Sequence, residues 1–563
     1  MKNKWIGGLL SATLACTAVV GATPVVGADK KASKNLIVLI GDGMGPAQVT
    51  AARLYLQRQK GIDHLNLDEI YVGQATTYAD RGEDGGTIVS GIVTDSASAG
   101  TAFATGNKTY NAGISVSNED VAKPYASVIE AAEKIGKATG LVTTARITHA
   151  TPAVYASHVR HRDNESAIAS QYLDSGVDVL FGGGKSFFLS KDEKGKRADK
   201  SIIADFEAKG YQVVGDKDGL RSLDSEKALG FFGSSHVNYV PDRSESTPNL
   251  AEMTEKAIEL LSKDKDGFVM MIEGGRIDHA SHANDFPSTI QETLDFDAAV
   301  KVALDFAKKD KNTSIVITAD HETGGLSLSR DNIYELNDSL WDKQVHSSEH
   351  INKALSEAKS KDDVKKIVSE NTWIKDLTDE EAEFILKGDG SSYKQEGAYN
   401  AVVSKRLLVG WAGHGHSGVD VGVWAYGPIT ELVTGNVDNT EIAKASAKVI
   451  GADLKKTTAE LQAKYLYPKF KVNKEGAVLY PAEALATALG AKVENKTNEV
   501  TITQNDQKLV VNTSTLKVQL NGKEIKVVAE MDNKKLYLSL EAFAQVSGKK
   551  ISWDTLSERI VFE

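Results

Sequence analysis

Cysteine is nearly absent. The 563-residue chain has one, Cys16, inside an apolar N-terminal stretch, so no intrachain disulfide staples the fold. Packing or metal ions must do that work instead. Net positive charge is also missing. Lys and Arg number 66 against 77 Asp and Glu, and the resulting −11 argues against nucleic-acid-specific binding or an anionic membrane partner. An anionic substrate would then need local positive charge, from arginine or from metal. Long uninterrupted apolar runs are lacking too. The opening MKNKWIGGLLSATLACTAVVGATPVVGADKK carries lysines at 2 and 4, then apolar residues broken by Ser, Thr and Gly, then small residues ending VGA. That is the pattern of a secretory signal peptide over residues 1–28, not of a transmembrane segment. The expected product is secreted or cell-envelope associated.

What is present is a long α/β pattern. NLIVLIGDGMG (35–45) reads as a buried strand ending at Asp42, and similar runs occur at 139–145, 177–184, 268–275, 314–325 and 421–428. Near-continuous apolar strands alternating with helical segments predict a mostly parallel central sheet with helices on both faces. Ligands in such sheets lie beyond the strands' carboxyl ends, where Asp42, Glu273, Asp320 and His321 fall. Residues 331–410 read as a charged, mainly helical insertion with Trp341 and Trp373 as packing anchors. After about residue 455 the texture changes. LYPAEALATALGAKV (479–493) is echoed by LYLSLEAFAQVSGKKI (536–551), so residues 456–563 are expected to be a small α+β domain built on an internal repeat. The catalytic body is then 29–455.

Four stretches carry chemistry. In TDSASAGTAFATG, Asp95 suits a helix N-cap, which places Ser96 in a first turn whose free N–H groups and dipole favour negative charge. EGGRIDHASHAND offers Asp278 and His282, four apart and so on one helical face. TADHETGG sets Asp320 beside His321 at a strand end, and WAGHGHSG holds His414 and His416 in a glycine-rich turn. His, Asp and Glu are catalytic zinc ligands, and two zinc ions about 4 Å apart can stabilise both the attacking and the leaving oxygen of a phosphoryl displacement.

These stretches, together with IGDGMG and THATPAVYASHVRHR, occur in the order found in alkaline phosphatases, and over residues 34–450 the chain resembles that family. The resemblance implies hydrolysis of phosphate monoesters through a phosphoserine on Ser96, with Arg162 holding the substrate phosphate. It implies two Zn2+ and one Mg2+. Asp278, His282 and His416 match the ligands of the first zinc, and Asp42, Asp320 and His321 those of the second. Asp42, Thr151 and Glu273 match the magnesium site. The chain departs from the better-known bacterial members at two positions near phosphate and metal. His149 stands where an aspartate supports the magnesium water shell, and His279 where a lysine reaches phosphate through water. Imidazole suits softer ions, so Zn2+ or Co2+ at the third site is an expectation of this sequence. Family members are often homodimers. A phosphodiesterase or phosphosugar mutase of the same superfamily, or an inactive phosphate- or wall-binding surface protein, are the competing readings. The tail resembles the copper amine oxidase N-terminal-like domain but has no His, Cys or Met cluster to bind copper. Cell-wall association and a purely stabilising appendage both remain open for it.

Overall fold

A computed structural model describes residues 32–87 and 89–563, so the expected signal peptide lies outside the described residues. Ten strands form the central sheet: β1 (Asn35–Gly41), β2 (Tyr71–Thr76), β3 (Ala138–Arg146), β4 (Val179–Gly183), β5 (Gln212–Val214), β6 (Ala228–Phe231), β7 (Phe268–Gly274), β8 (Thr313–Ala319), β9 (Val421–Tyr426) and β10 (Gly435–Asp438). Their order is β10-β2-β9-β8-β1-β7-β3-β4-β6-β5. Every residue of β1, β7 and β8 is buried. Because successive side chains point to opposite faces, burial throughout means both faces are covered.

Register does much to build the site. In the parallel trio β7-β1-β8, Gly41 pairs with Gly274 on one side and Ala319 on the other. Asp42, Glu273 and Asp320 therefore reach one sheet edge together. One strand differs from the expected parallel arrangement. β9 runs antiparallel to both β2 and β8. The reason is topological: the insertion returns the chain to the edge where β8 ended, so β9 starts there and runs back without a crossover helix.

The insertion is helical as expected, with helices at Ser348–Leu355, Lys361–Asn371, Asp379–Lys387 and Lys394–Leu407. Trp341 is buried in its core against Phe286, with Ile351, Val368, Tyr399 and Leu407, whereas Trp373 is half-buried at the margin. Beyond the helix Leu454–Gln462, two strand–helix–strand segments run Val478–Lys496 and Lys535–Asp554, and their leading strands pair antiparallel. Their surroundings differ: the first opens a five-stranded meander, and the second closes through a hairpin with Arg559–Phe562. Among the described residues no helix is long and apolar enough to cross a membrane.

Candidate active site

Ser96 opens helix α2 (Ser96–Thr105), which is buried along its whole length. Asp95 is the N-cap, its carboxylate accepting from Ser98 N at 2.9 Å. The same carboxylate accepts from Ala112 N at 3.0 Å and from Arg162 Nη1 at 3.0 Å. One acidic side chain thus fixes the serine's helix and aims the arginine at it. Arg162 Nη2 lies 2.9 Å from His149 Nε2. His149 occupies the N-cap position of helix α3 (Ala150–Ala156), without a side-chain capping bond, and the first turn of that helix carries Thr151.

Helix α4 (Arg276–His282) follows β7 directly, and its Asp278 and His282 do share a face, His282 Nε2 standing 3.2 Å from Asp278 Oδ1. A two-residue antiparallel pairing of Glu322–Thr323 with His416–Ser417 brings His416 in. Its Nε2 lies 3.0 Å from His282 Nε2 and 3.6 Å from Asp278 Oδ1, and its ring stacks on His321 at 3.5 Å. His321 Nε2 in turn stands 3.1 Å from Asp320, 3.7 Å from Asp42 and 3.2 Å from Ser96 Oγ. Bonds of about 2.0–2.1 Å to a tetrahedral zinc put its ligand atoms about 3.3 Å apart, the spacing seen here.

The far nitrogens fix the tautomers. His416 Nδ1 donates to Thr94 O at 2.8 Å, His282 Nδ1 to the carbonyl of His414, and His321 Nδ1 to Thr323 Oγ1 at 3.2 Å, which itself donates to Asp278. All three Nε2 lone pairs then face inward, as metal ligation requires. His414 supports His282: its Nδ1 donates to His282 O at 2.7 Å, and Asp389 and Tyr393 hold its ring.

Electrostatics give the test of fit to metal. Asp42 is fully buried, and neither of its carboxylate oxygens has a hydrogen-bond donor; Asp320 Oδ2, Glu273 Oε1, Thr151 Oγ1 and His149 Nδ1 are likewise buried and unpartnered. Burial, and then the charges of Asp320, Asp278 and Glu273, push the Asp42 carboxyl well above its ordinary range, and burial lifts Glu273 to about 7. Burial would raise Asp278 and Asp320 as well, yet the neighbouring imidazoles hold both below the usual carboxylate range. Burial lowers His149 and His279 and, with His321 beside it, takes His416 to about 4. Carboxylates this close, dry and donor-poor cannot all ionise without cations. Ligand atoms converge in three sets: Asp278/His282/His416, Asp42/Asp320/His321 and Asp42/His149/Glu273.

His149 thus falls in with Asp42 and Glu273, while His279 lies behind it at 5.5 Å between ring centres. A third histidine, His236, packs on His279 at 4.2 Å and is held by the Arg146 side chain. Sequence reasoning overlooked it. Its signal was a histidine just past the Gly-Ser turn that follows β6.

A sheet edge built this way defines a class, the metal-dependent hydrolases that work on phosphate esters. Comparison with known proteins narrows it. Residues 33–452 match the family model "Alkaline phosphatase", and residues 462–562 match "Copper amine oxidase N-terminal domain". Alkaline phosphatase 3 of Bacillus subtilis is 40% identical over 456 residues, covering 77% of this chain and 94% of the relative. The repressible alkaline phosphatase of Saccharomyces cerevisiae is 35% identical, covering 76% and 82%. Among solved structures, a cold-active alkaline phosphatase from Shewanella sp. aligns with a TM-score of 0.65 and 33% identity over 74% of this chain and 99% of that one. A histidine-to-aspartate variant of the enzyme of the Antarctic bacterium TAB5, with Mg bound in its M3 site, aligns at 0.55 and 29% identity over 75% and 99%. The chain belongs to the alkaline phosphatase family. It is an enzyme that hydrolyses phosphate monoesters, and the family implies metal cofactors.

Proposed function

We propose that the reaction runs through a phosphoserine on Ser96, with Arg162 gripping the phosphate. The observation that carries this is the position of Ser96 Oγ, at a helix start, 3.2 Å from an inward-facing imidazole lone pair, with the Arg162 side chain anchored to the N-cap Asp95 of that helix. A phosphate ester seated there presents two oxygens to the guanidinium, which stays charged at alkaline pH. The amides of the first α2 turn favour the negative charge that builds on phosphorus oxygens. Ser96 gives up its proton and attacks in line, the alcohol leaves, and water then cleaves the phosphoserine to release inorganic phosphate.

Asp278, His282 and His416 would hold one Zn2+, and Asp42, Asp320 and His321 the other. Asp42, Glu273, Thr151 and His149 would hold the third ion. Bound there, the ions supply Lewis acidity that makes the serine and water nucleophilic and neutralises the leaving oxygen. The imidazole of His149 supports Zn2+ or Co2+ as an alternative to Mg2+ at the third site. The TAB5 variant pairs an aspartate in place of a histidine with magnesium in M3, which agrees with that donor logic. The N-terminal pattern supports export and a secreted or envelope-associated enzyme. The tail supports association with wall polymers, and the family's habit supports a homodimer.

The decisive assay is hydrolysis of p-nitrophenyl phosphate by the protein and by Ser96→Ala, before and after chelation and with Zn2+, Mg2+ or Co2+ restored. Activity that requires metal and falls at least about a thousandfold in the variant is expected. Turnover of bis-p-nitrophenyl phosphate with an inert monoester would replace this reading by a phosphodiesterase.

A further inference from the structure

A second group of metal-ligating side chains lies away from the catalytic edge, where the insertion meets the body. Asp242 ends the short turn Val240–Asp242 of the body; His346 and His350 flank and enter the insertion helix Ser348–Leu355. His346 Nδ1 stands 2.9 Å from Asp242 Oδ1, and His350 Nδ1 stands 3.8 Å from the same oxygen. The two rings stack at 4.1 Å and 15°, so both Nδ1 atoms turn to one side. One ligand atom from each of the three residues lies within 4.8 Å of the others.

Helix capping alone explains part of this. Asp242 Oδ2 accepts from Ser347 Oγ at 2.5 Å and from Ser347 N at 3.3 Å, and Ser347 caps the helix through His350 N. It does not explain Oδ1, on which two imidazole nitrogens converge though a cap needs neither. The 2.9 and 3.8 Å separations bracket the roughly 3.3 Å between ligand atoms on one tetrahedral ion. The cap makes the arrangement rigid: Oδ2 is tied to Ser347, which leaves Oδ1 aimed at the rings.

We propose that Asp242, His346 and His350 bind a further divalent transition-metal ion, which clips the insertion to the body. Two imidazoles and one carboxylate select Zn2+, Co2+, Ni2+ or Cu2+ over Mg2+ or Ca2+, which prefer all-oxygen shells. The rings are partly exposed, His346 at 36% and His350 at 47% of the side chain, so water fills the remaining coordination position. In a chain without disulfides in its described part, this is a crosslink between segments about a hundred residues apart in sequence. Its neighbours give it reach. Glu349, beside His350, pairs at 2.7 Å with Arg276, the first residue of α4, and Arg276 stacks on Tyr239 at 3.6 Å. The clip therefore braces the outer end of the helix that carries Asp278 and His282.

The test compares the full-length protein with His346→Gln/His350→Gln. Both are loaded with Zn2+, dialysed against metal-free buffer at neutral pH, and counted by atomic emission. One zinc equivalent per chain fewer in the double variant is expected, with p-nitrophenyl phosphate turnover within about twofold of the parent. The parent's melting temperature should also rise with Zn2+ beyond the concentration that saturates activity, and the variant's should not. Equal zinc content and an equal thermal response in the two proteins would overturn the proposal. His350→Gln alone, altering the more exposed ring, serves if the double variant does not fold. The count is a difference between chains with intact catalytic residues, so it stands or falls apart from the phosphoserine reading.

Discussion

Arg162 shows how much a single residue's neighbours decide. Its guanidinium is held by Asp95 on one nitrogen and faces His149 on the other, so in the proposed reaction it would meet phosphate already oriented. Removing it takes away a charge-assisted bidentate grip of about 1.5–3 kcal/mol. Arg162→Ala is expected to lower kcat/KM about 10- to 100-fold and to weaken inhibition by inorganic phosphate in parallel. Asp95→Asn keeps the N-cap but loses the charge that aims Arg162, so its loss should be only a few fold; steady-state kinetics with phosphate inhibition checks both. Candidate ligand pairs such as Asp278/His282 and Asp320/His321 were legible because their spacing is local and their positions follow strand ends. The partners of their far nitrogens were not: Thr323, the His414 carbonyl and Thr94 O come from loops whose meeting only the fold decides. Away from the site, Glu133 makes a pH-dependent case. Burial lifts it from the ordinary 4.5 to about 7, with Asp178 adding to the shift and a hydrogen bond from Thr139 opposing it. A raised carboxyl keeps its proton longer in the folded state, so its contribution is complete below pH 4.5 and is lost as pH climbs to 7. Above pH 7 a buried carboxylate is left. Glu133→Gln, which still accepts from Thr139, should raise stability by about 1–2 kcal/mol at pH 9, after discounting for partial solvent contact, and by nothing at pH 4. Melting curves should shift by roughly 1–3 °C at the higher pH only.

Between residue and domain, the turn from β1 into helix α1 (Pro46–Tyr55) carries a strict demand. Gly43 sits at φ +69°, and a Cβ there would lie 2.7 Å from both Asp278 Cα and Thr323 Oγ1. The turn must pass that close because Gly43 N donates to Asp320 at 3.0 Å, which fixes the carboxylate beside Asp42. Gly43→Ala therefore pushes apart the two elements that carry Asp42 and Asp278. It should cost both retained metal and most of the activity. Gly61, at φ +65° with open space around it, is the control. Gly61→Ala has only the backbone penalty of about 1 kcal/mol and should leave metal content and turnover intact; metal analysis beside activity separates the two. Strand positions and the α2 cap were readable from apolar runs, glycine stops and Asp95. The reversal of β9 was not. Its sequence is as apolar as its neighbours', and strand direction depends on where the insertion delivers the chain, which local composition does not encode.

At the scale of the whole molecule the tail is docked, not dangling. Strand Tyr465–Pro468 pairs antiparallel with Val121–Ala122 of the body, and Lys469 pairs with Asp120 at 2.9 Å. Arg160 is the centre of the joint: it donates to Tyr467 O at 2.9 Å and to Asp84 at 2.6 Å, and it lies over the Tyr110 ring. Nothing local in the sequence announces this role of Arg160, whose partner stands 307 positions away. The motif HVRHR thus divides its labour. Arg162 turns to Asp95 at the start of the Ser96 helix, and Arg160, two residues earlier, turns to the tail. Arg160→Ala loses side-chain-to-backbone and ion-pair contacts and the stacking over Tyr110, none of them part of a strand ladder, so the body's register and the catalytic edge should persist. The energy removed, about 1.5–3 kcal/mol for a partly buried charged hydrogen-bonding group, corresponds to a tenfold or larger rise in the undocked population. Limited proteolysis at the junction around Leu454–Gln462 should accelerate by that factor, while kcat/KM for p-nitrophenyl phosphate stays within about twofold. Unchanged cleavage would mean that the 121–122 strand pairing holds the tail without Arg160. A parallel loss of activity would mean instead that tail docking supports the position of Arg162.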